Sequence, residues 1–262
     1  MSDLHKCGSI LVTGASRGIG LQIVETLMKS NPRPGKVIAA ARDRSRAKEL
    51  NRLAESHPDL YIVTLDVTKK DDIEAAFKEV ESLVGDKGLN CLVNNAGIKV
   101  DSTLSEVTAE EMMKNFEVNA VSPLMVTKAF LPLLRKAAKQ GTGMGIHRAA
   151  IVNVSSARAS IQRKDTHVKW YPYCVSKAAL NMVTKCLSSD LLGEGILCVS
   201  VNPGWVNTDM GGPQAPPETP SHSQEECCDQ GCQMTIQIGI KTHVTHCCDY
   251  WEWLSYCLIR PT

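Results

Sequence analysis

"SILVTGASRGIG", residues 9–20, is the stretch that decides the fold. Its first part, "SILVT" (9–13), is a short apolar run that reads as a buried strand. Its second part, "TGASRGIG" (13–20), follows that strand and opens a helix that the pattern carries from about Gly18 to Lys29. Gly14, Gly18 and Gly20 let the backbone turn tightly and approach a ligand closely. The N–H groups at the helix start then face a pyrophosphate. The spacing is G-x-x-x-G-x-G, not the G-x-G-x-x-G of the general dinucleotide fingerprint. A plain turn with tight helix packing is the alternative, and the position between first strand and first helix weighs against it.

The same rhythm continues outward. "KVIAAA" (36–41), "YIVTLDV" (61–67), "CLVNNAG" (91–97), "AAIVNVSS" (149–156) and "ILCVSVNPG" (196–204) read as further strands. Between them lie helical patterns: "RSRAKELNRLAES", "KKDDIEAAFKEVESLV", a long region from about Ala109 to Lys139 with breaks or kinks expected at Pro123 and Pro132, and a helix ending near Leu192. Strands alternating with helices, and apolar on both faces, imply an α/β fold: a doubly wound parallel sheet with helices on both faces. After Asp209 the rhythm stops. Residues 1–212 are therefore expected to form one dinucleotide-binding and catalytic domain, and 213–262 an irregular, Cys-rich tail.

The totals allow this and exclude other classes. Apolar residues make up 43% of 262, enough for a full core, and a net charge of +1 gives no field pointing to nucleic acid or an anionic membrane. No apolar run is long enough to span a bilayer and no signal-peptide pattern opens the chain, so the expected compartment is the cytoplasm. Of 11 cysteines, Cys7, Cys91, Cys174, Cys186 and Cys198 are scattered and mostly read as small buried residues. Cys227, Cys228, Cys232, Cys247, Cys248 and Cys257 crowd the tail, where with His222, His243 and His246 they fit no familiar zinc spacing, so no metal is expected.

Two further stretches carry chemistry. The second strand ends in "AAARDRSR". Arg42, with Arg17 of the glycine loop, suits the 2′-phosphate of NADP(H); Asp43 is the competing residue, suited to the free ribose hydroxyl of NAD. In "YPYCVSK" (171–177), Tyr173 precedes Lys177 by four residues, so both leave one face of a helix. A free tyrosine titrates near pH ~10. A neighbouring ammonium favours its phenolate and would make it a usable general acid.

Taken together, "TGASRGIG", "NNAG" (94–97), "NVSS" (153–156), "YCVSK" (173–177) and "NPGWVNTDM" (202–210) occur in the order seen in short-chain dehydrogenases/reductases. The chain resembles that family over residues 8–212, and within it the sniffer-type, C-factor-like carbonyl reductases. The resemblance implies roles. Tyr173 would be the general acid/base, and Lys177 would lower its pKa and hold the nicotinamide ribose. Ser156 would hydrogen-bond the substrate carbonyl, and Asn119 would hold a water in a proton relay. Asn94, Ala96 and Gly97 would border the cofactor, Asp66 and Val67 would lie at adenine, and Ser16 and Ile19 would complete the glycine loop. Thr208 would hold the carboxamide, with Pro203, Gly204 and Val206 shaping the approach. Each has a plainer alternative: Ser155 and Ser156 ending a strand, Asn119 bonding nearby backbone, Thr208 capping a turn.

The insertion "ARASIQRKDTHVKWYP" (157–172) is expected to wall a substrate pocket, with Trp170 and Tyr171 against an apolar group and Arg163, Lys164, Asp165 and Lys169 solvated. Family members usually continue past the threonine loop into a helix and a seventh strand, and that segment is not recognisable here; "MTIQIGIKTHV" (234–244) could be a substitute strand. The expected activity is NADPH-dependent reduction of a small aldehyde, ketone or quinone, in a homo-oligomer weakened if its C-terminal interface is lost. The alternatives are a nucleotide-binding or interaction protein with little or no turnover, and a chain that does not fold stably.

Overall fold

The computed structural model describes residues 7–161, 169–212 and 214–215. Six parallel strands form one sheet in the order β3-β2-β1-β4-β5-β6. They are β1 (Ser9–Val12), β2 (Lys36–Ala41), β3 (Leu60–Thr64), β4 (Cys91–Asn94), β5 (Ala150–Val154) and β6 (Leu197–Val201). The helices are α1 (Gly18–Lys29), α2 (Lys48–Ser56), α3 (Lys70–Val84), α4 (Ala109–Phe116), α5 (Ser122–Ala138) and α6 (Tyr171–Leu191).

Alternation along each strand sends side chains to two apolar layers. Ile10 and Val12 of β1 face Ile23 and Leu27 of α1 and Leu50 of α2. Leu11, between them, faces Ile73 and Val80 of α3 and Phe130 and Leu134 of α5. With β1, β4 and β5 buried along their whole length, both sheet faces are covered, as an all-parallel sheet requires. At the edge, Leu197 and Val199 of β6 are only half-buried.

The strands are shorter at their C-terminal ends than the apolar runs suggest. Thr13, Asn95, Ala96, Gly97, Ser156 and Pro203 all lie beyond the last strand residue. Their backbones leave the sheet to build loops at its carboxyl edge, where open α/β sheets bind ligands.

Two helix expectations are corrected. The pattern from Arg44 splits into a 3₁₀ turn, Arg44–Arg46, and α2, because Asp43 caps the turn through Ser45 N (2.9 Å). The region 109–138 is interrupted by a π-helical turn, Glu117–Val121, with Pro123 in the first turn of α5; Pro132 lies inside α5 without ending it. The start of α4 is held by a capping box, in which Thr108 Oγ1 accepts from Glu111 N (3.2 Å) and Glu111 Oε2 from Thr108 N (3.1 Å).

The irregular tail, its cysteine and histidine ligand set, the strand expected at 234–244, and Arg163, Lys164 and Asp165 lie outside the described residues. Among the described residues, no helix is long and apolar enough to cross a membrane. Cys7, Cys91 and Cys198 are buried, as read from sequence, whereas Cys186 is exposed.

Candidate active site

The glycine loop is held from behind by the loop after β4. Thr13 Oγ1 accepts from Asn95 N (3.0 Å) and Ala96 N (3.1 Å), and Asn95 Nδ2 donates to the carbonyls of Thr13 (2.9 Å) and Gly14 (3.1 Å). Gly14 has φ +65, and a Cβ there would come within 2.8 Å of Ala96 Cα. A Cβ on Gly20 would lie 2.3 Å from the Gly14 carbonyl oxygen. Only glycine permits this approach, so the loop forms a cradle of bare backbone at the start of α1, the shape and polarity that fit a dinucleotide pyrophosphate. Ser16 and Ile19 are half-buried beside it. Neither Asn95 nor Thr13 was picked out from sequence, although both sit inside the quoted motifs.

The floor continues without a break to the chemistry. A Cβ on Gly97 would lie 3.1 Å from Asn119 Oδ1 and 3.6 Å from Lys177 Nζ. Lys177 is 5% exposed. Its Nζ donates to the Val154 carbonyl (2.7 Å) and lies 5.9 Å from the centre of the Tyr173 ring. Burial pushes the Lys177 ammonium down to about 8. Burial likewise raises the Tyr173 phenol, partly offset by hydrogen bonding to the Ser156 side chain. The expectation that Lys177 acidifies Tyr173 is therefore corrected. The ammonium lies near the ring, but desolvation dominates, and the counteracting group is Ser156. Ser156 also caps the 3₁₀ turn Ala157–Ala159, its Oγ accepting from Arg158 N (3.2 Å).

Asn119 sits in the π-helical turn with both of its amide N–H donors engaged. Nδ2 donates to the Ile98 carbonyl (2.8 Å) and Ser176 Oγ (2.9 Å), and Oδ1 accepts from Ile98 N (2.8 Å). The side chain ties the helix to the loop after β4, and these bonds leave one lone pair of Oδ1 unused. Asn94 is likewise turned inward. Its Nδ2 donates to Thr127 Oγ1 (3.1 Å) and Asn153 Oδ1 (2.9 Å), so its side chain backs the cleft.

That contact begins a buried polar ladder absent from the sequence reading. Asn94, Asn153 and Ser200 are register partners across β4, β5 and β6. Asn153 Nδ2 donates to Thr184 Oγ1 (2.8 Å), Ser200 Oγ donates to the same oxygen (2.8 Å), and Thr184 passes its proton to the Leu180 carbonyl (2.8 Å). Beside it, Ser155 Oγ donates to Asn181 Oδ1 (2.7 Å). The ladder fixes the depth of α6 over the sheet two turns from Lys177.

At the far end of the cradle Arg42 is exposed. Asp43 is committed elsewhere: one carboxylate oxygen accepts from Ser45 N (2.9 Å) and Ser45 Oγ (2.6 Å), and the other pairs with Arg46 (3.4 Å). Asp66 accepts from Thr68 N (3.1 Å) and Oγ1 (2.8 Å). Partial burial alone would raise its carboxyl, but the Thr68 bonds, Lys69 and Arg42 together hold it below the usual value. Val67 is buried.

After β6, Pro203, Val206 and Thr208 are half-buried and Gly204 is exposed. Thr208 Oγ1 accepts from Gly211 N (3.1 Å), and Trp205 Nε1 donates to the Gly211 carbonyl (2.8 Å). This self-bonded loop reaches the cradle, since a Cβ on Gly18 would lie 3.4 Å from Thr208 Cγ2. Trp170, expected to offer a face to an apolar substrate, carries cations over its ring instead, Arg158 at 4.6 Å and Lys99 at 5.4 Å.

Comparison with known proteins agrees with this geometry. The family model described as short chain dehydrogenase matches residues 9–219. The carbonyl reductase Sniffer of D. melanogaster superposes with a TM-score of 0.77 at 43% identity, over 80% of this chain and 85% of that one. An NADPH-bound carbonyl reductase from chicken fatty liver superposes with a TM-score of 0.75 at 44% identity, over 81% and 84%. The L-xylulose reductase of Caenorhabditis elegans is 36% identical over 203 residues, 77% of this chain and 73% of that protein. A glycine cradle, a Ser–Tyr–Lys cluster on one cleft floor and this similarity along most of the chain lead to one conclusion: the chain is an oxidoreductase of the short chain dehydrogenase family.

Proposed function

We propose that the protein reduces the carbonyl group of a small aldehyde, ketone or quinone with NADPH, using Tyr173 as general acid. The observation that carries this reading is the Ser156–Tyr173–Lys177 cluster on the floor that runs on into the glycine cradle. Gly14, Ser16, Gly18, Ile19 and Gly20 would hold the pyrophosphate end, Arg17 with Arg42 the 2′-phosphate, Ala96 and Gly97 the middle, and Lys177, Pro203, Gly204, Val206 and Thr208 the nicotinamide end, with Asp66 and Val67 near adenine. The choice of NADP(H) over NAD rests on Asp43 and Arg42. The Asp43 carboxylate is already spent on Ser45 and Arg46, while the exposed Arg42 guanidinium can receive a phosphate.

When bound, the reduced nicotinamide supplies the hydride. The protein's part is the oxygen. As negative charge grows there, the hydroxyls of Ser156 and Tyr173 donate to it, and Tyr173 transfers its proton to complete the alcohol. A phenol raised by burial keeps that proton at neutral pH. The phenolate left behind faces Lys177, which, at about 8, is still mainly protonated at neutral pH and close enough to ambient pH to pass a proton on. Asn119, on the same floor as Lys177, would hold a water in the relay that returns that proton.

The test is NADPH consumption by the full chain against a panel of aldehydes, ketones and quinones, with alcohol product identified. Binding of NADPH without consumption across the panel would overturn the proposal.

A further inference from the structure

Arg17 and Asp209 form an ion pair across the cleft. Arg17 is the residue that caps α1 within the glycine loop, and Asp209 lies 192 positions later, in the loop after β6. Arg17 Nη1 donates to Asp209 Oδ2 at 2.8 Å, and both side chains are exposed, at 72% and 78%. The pair joins the loop that would hold the phosphates to the loop that carries Thr208. Beside the pair the two loops run close together, since a Cβ on Gly18 would lie 3.4 Å from Thr208 Cγ2. On the Asp209 side the loop is stiff, closed on itself by Thr208 Oγ1 to Gly211 N and by Trp205 Nε1 to the Gly211 carbonyl.

We propose that Asp209 is a specificity-determining residue, a built-in anion that occupies Arg17 until the 2′-phosphate of the cofactor replaces it. The inference rests on the NADP(H) reading above and adds a residue on the opposite wall. Asp209 already takes Arg17 Nη1, one of the donors a phosphate would need for a bidentate contact through that edge. A phosphorylated cofactor exchanges a carboxylate for a more highly charged phosphate at Arg17, and the exchange unlatches the Thr208 loop from the glycine loop. A cofactor with a free ribose hydroxyl offers Arg17 no anion, so the latch stays closed. Asp209 thus works against NADPH affinity while leaving NADH affinity unchanged, and it couples cofactor identity to the freedom of the loop at the nicotinamide end.

The experiment measures equilibrium dissociation constants of NADPH and NADH by calorimetry for the full-length wild type, Asp209→Asn, Arg17→Ala and the double variant, with thermal melts as a folding control. Exposed pairs of this kind have modest worth, so Asp209→Asn is expected to tighten NADPH by about two- to fivefold. NADH should change by less than the error. In the Arg17→Ala background the Asp209 substitution should have no effect on either cofactor. Equal tightening of both cofactors, weaker NADPH binding or an unchanged NADPH constant would each overturn the inference, the second by showing that the pair clasps bound cofactor. Failure of the wild type to bind NADPH would remove the NADP(H) reading and this inference with it; NADPH binding indifferent to Asp209→Asn would remove this inference alone.

Discussion

The two halves of the sheet handle polar groups in opposite ways. In the β3-β2-β1 half, the charges that would meet a cofactor stand in solvent: Arg17 and Arg42 are exposed, and Asp43 is spent on a surface turn. In the β4-β5-β6 half, Asn94, Asn153, Ser155, Ser176, Lys177 and Thr184 are all buried. On the proposed function, the difference follows from the task. A phosphate can be held by exposed cations and backbone N–H groups with little cost in desolvation. Moving a proton needs a dry, fixed geometry, and burying polar groups is tolerable only when they are paired. Among the described residues one buried side-chain polar atom lacks a partner, Asn115 Oδ1 on α4, outside the ladder.

The sharpest way to break that contrast is to remove one oxygen from the buried half. Tyr173→Phe should lower turnover by about 10²- to 10⁴-fold, the range of a lost general acid, with little change in melting temperature. Turnover within a few-fold of wild type would remove the tyrosine from the mechanism.

Lys177→Met should also abolish most turnover, and it carries a signed stability effect. In the unfolded chain Lys177 holds its proton up to about 10.5, and in the folded chain only up to about 8. Between those values the unfolded chain binds more protons, so wild-type stability rises with pH there. Below about 8 the burial penalty is fully felt. Cys7 and Cys198, raised from 9.0 to about 12, act oppositely above 9.0, because the unfolded thiols ionise first. The difference between wild type and Lys177→Met cancels the thiols. Paired melts should show wild type gaining on the variant as pH rises from about 8 towards 10.5; a flat difference would mean that Lys177 is not desolvated.

Asn153→Ala tests the ladder. It leaves one of the two Asn94 Nδ2 hydrogens without its acceptor and removes a donor from Thr184. The expected cost is about 2–3 kcal/mol, a melting temperature lower by roughly 5–10 °C. Arg42→Ala, on the exposed half, should weaken NADPH about tenfold and leave the melting temperature where it was. If the two variants destabilise equally, the division between the halves fails.

The glycine loop, the loop after β4 and the Tyr173–Lys177 spacing were legible in the sequence because each is local. A glycine at positive φ, or two residues one helical turn apart, needs no distant partner to be recognised. The ladder was not legible. Asn94 and Asn153 are 59 positions apart, Asn119 and Ser176 are 57, and an isolated Asn or Thr within a strand or helix does not announce its partner. The same holds for the Asn119 amide, whose bonds to Ile98 and Ser176 no local pattern announces.

By itself, then, the sequence determined the α/β alternation, the place of the cradle and the one-turn spacing of Tyr173 and Lys177, since these depend on backbone sterics and spacing over a few residues. Tertiary structure alone decided which way the charges act. Burial raises the Tyr173 phenol, the Asp43 carboxylate is bonded within its own turn, and Arg17 meets a carboxylate 192 residues away. Desolvation and long-range pairing depend on how elements pack, and packing is a property of the assembled sheet and helices, beyond the reach of any one stretch of chain.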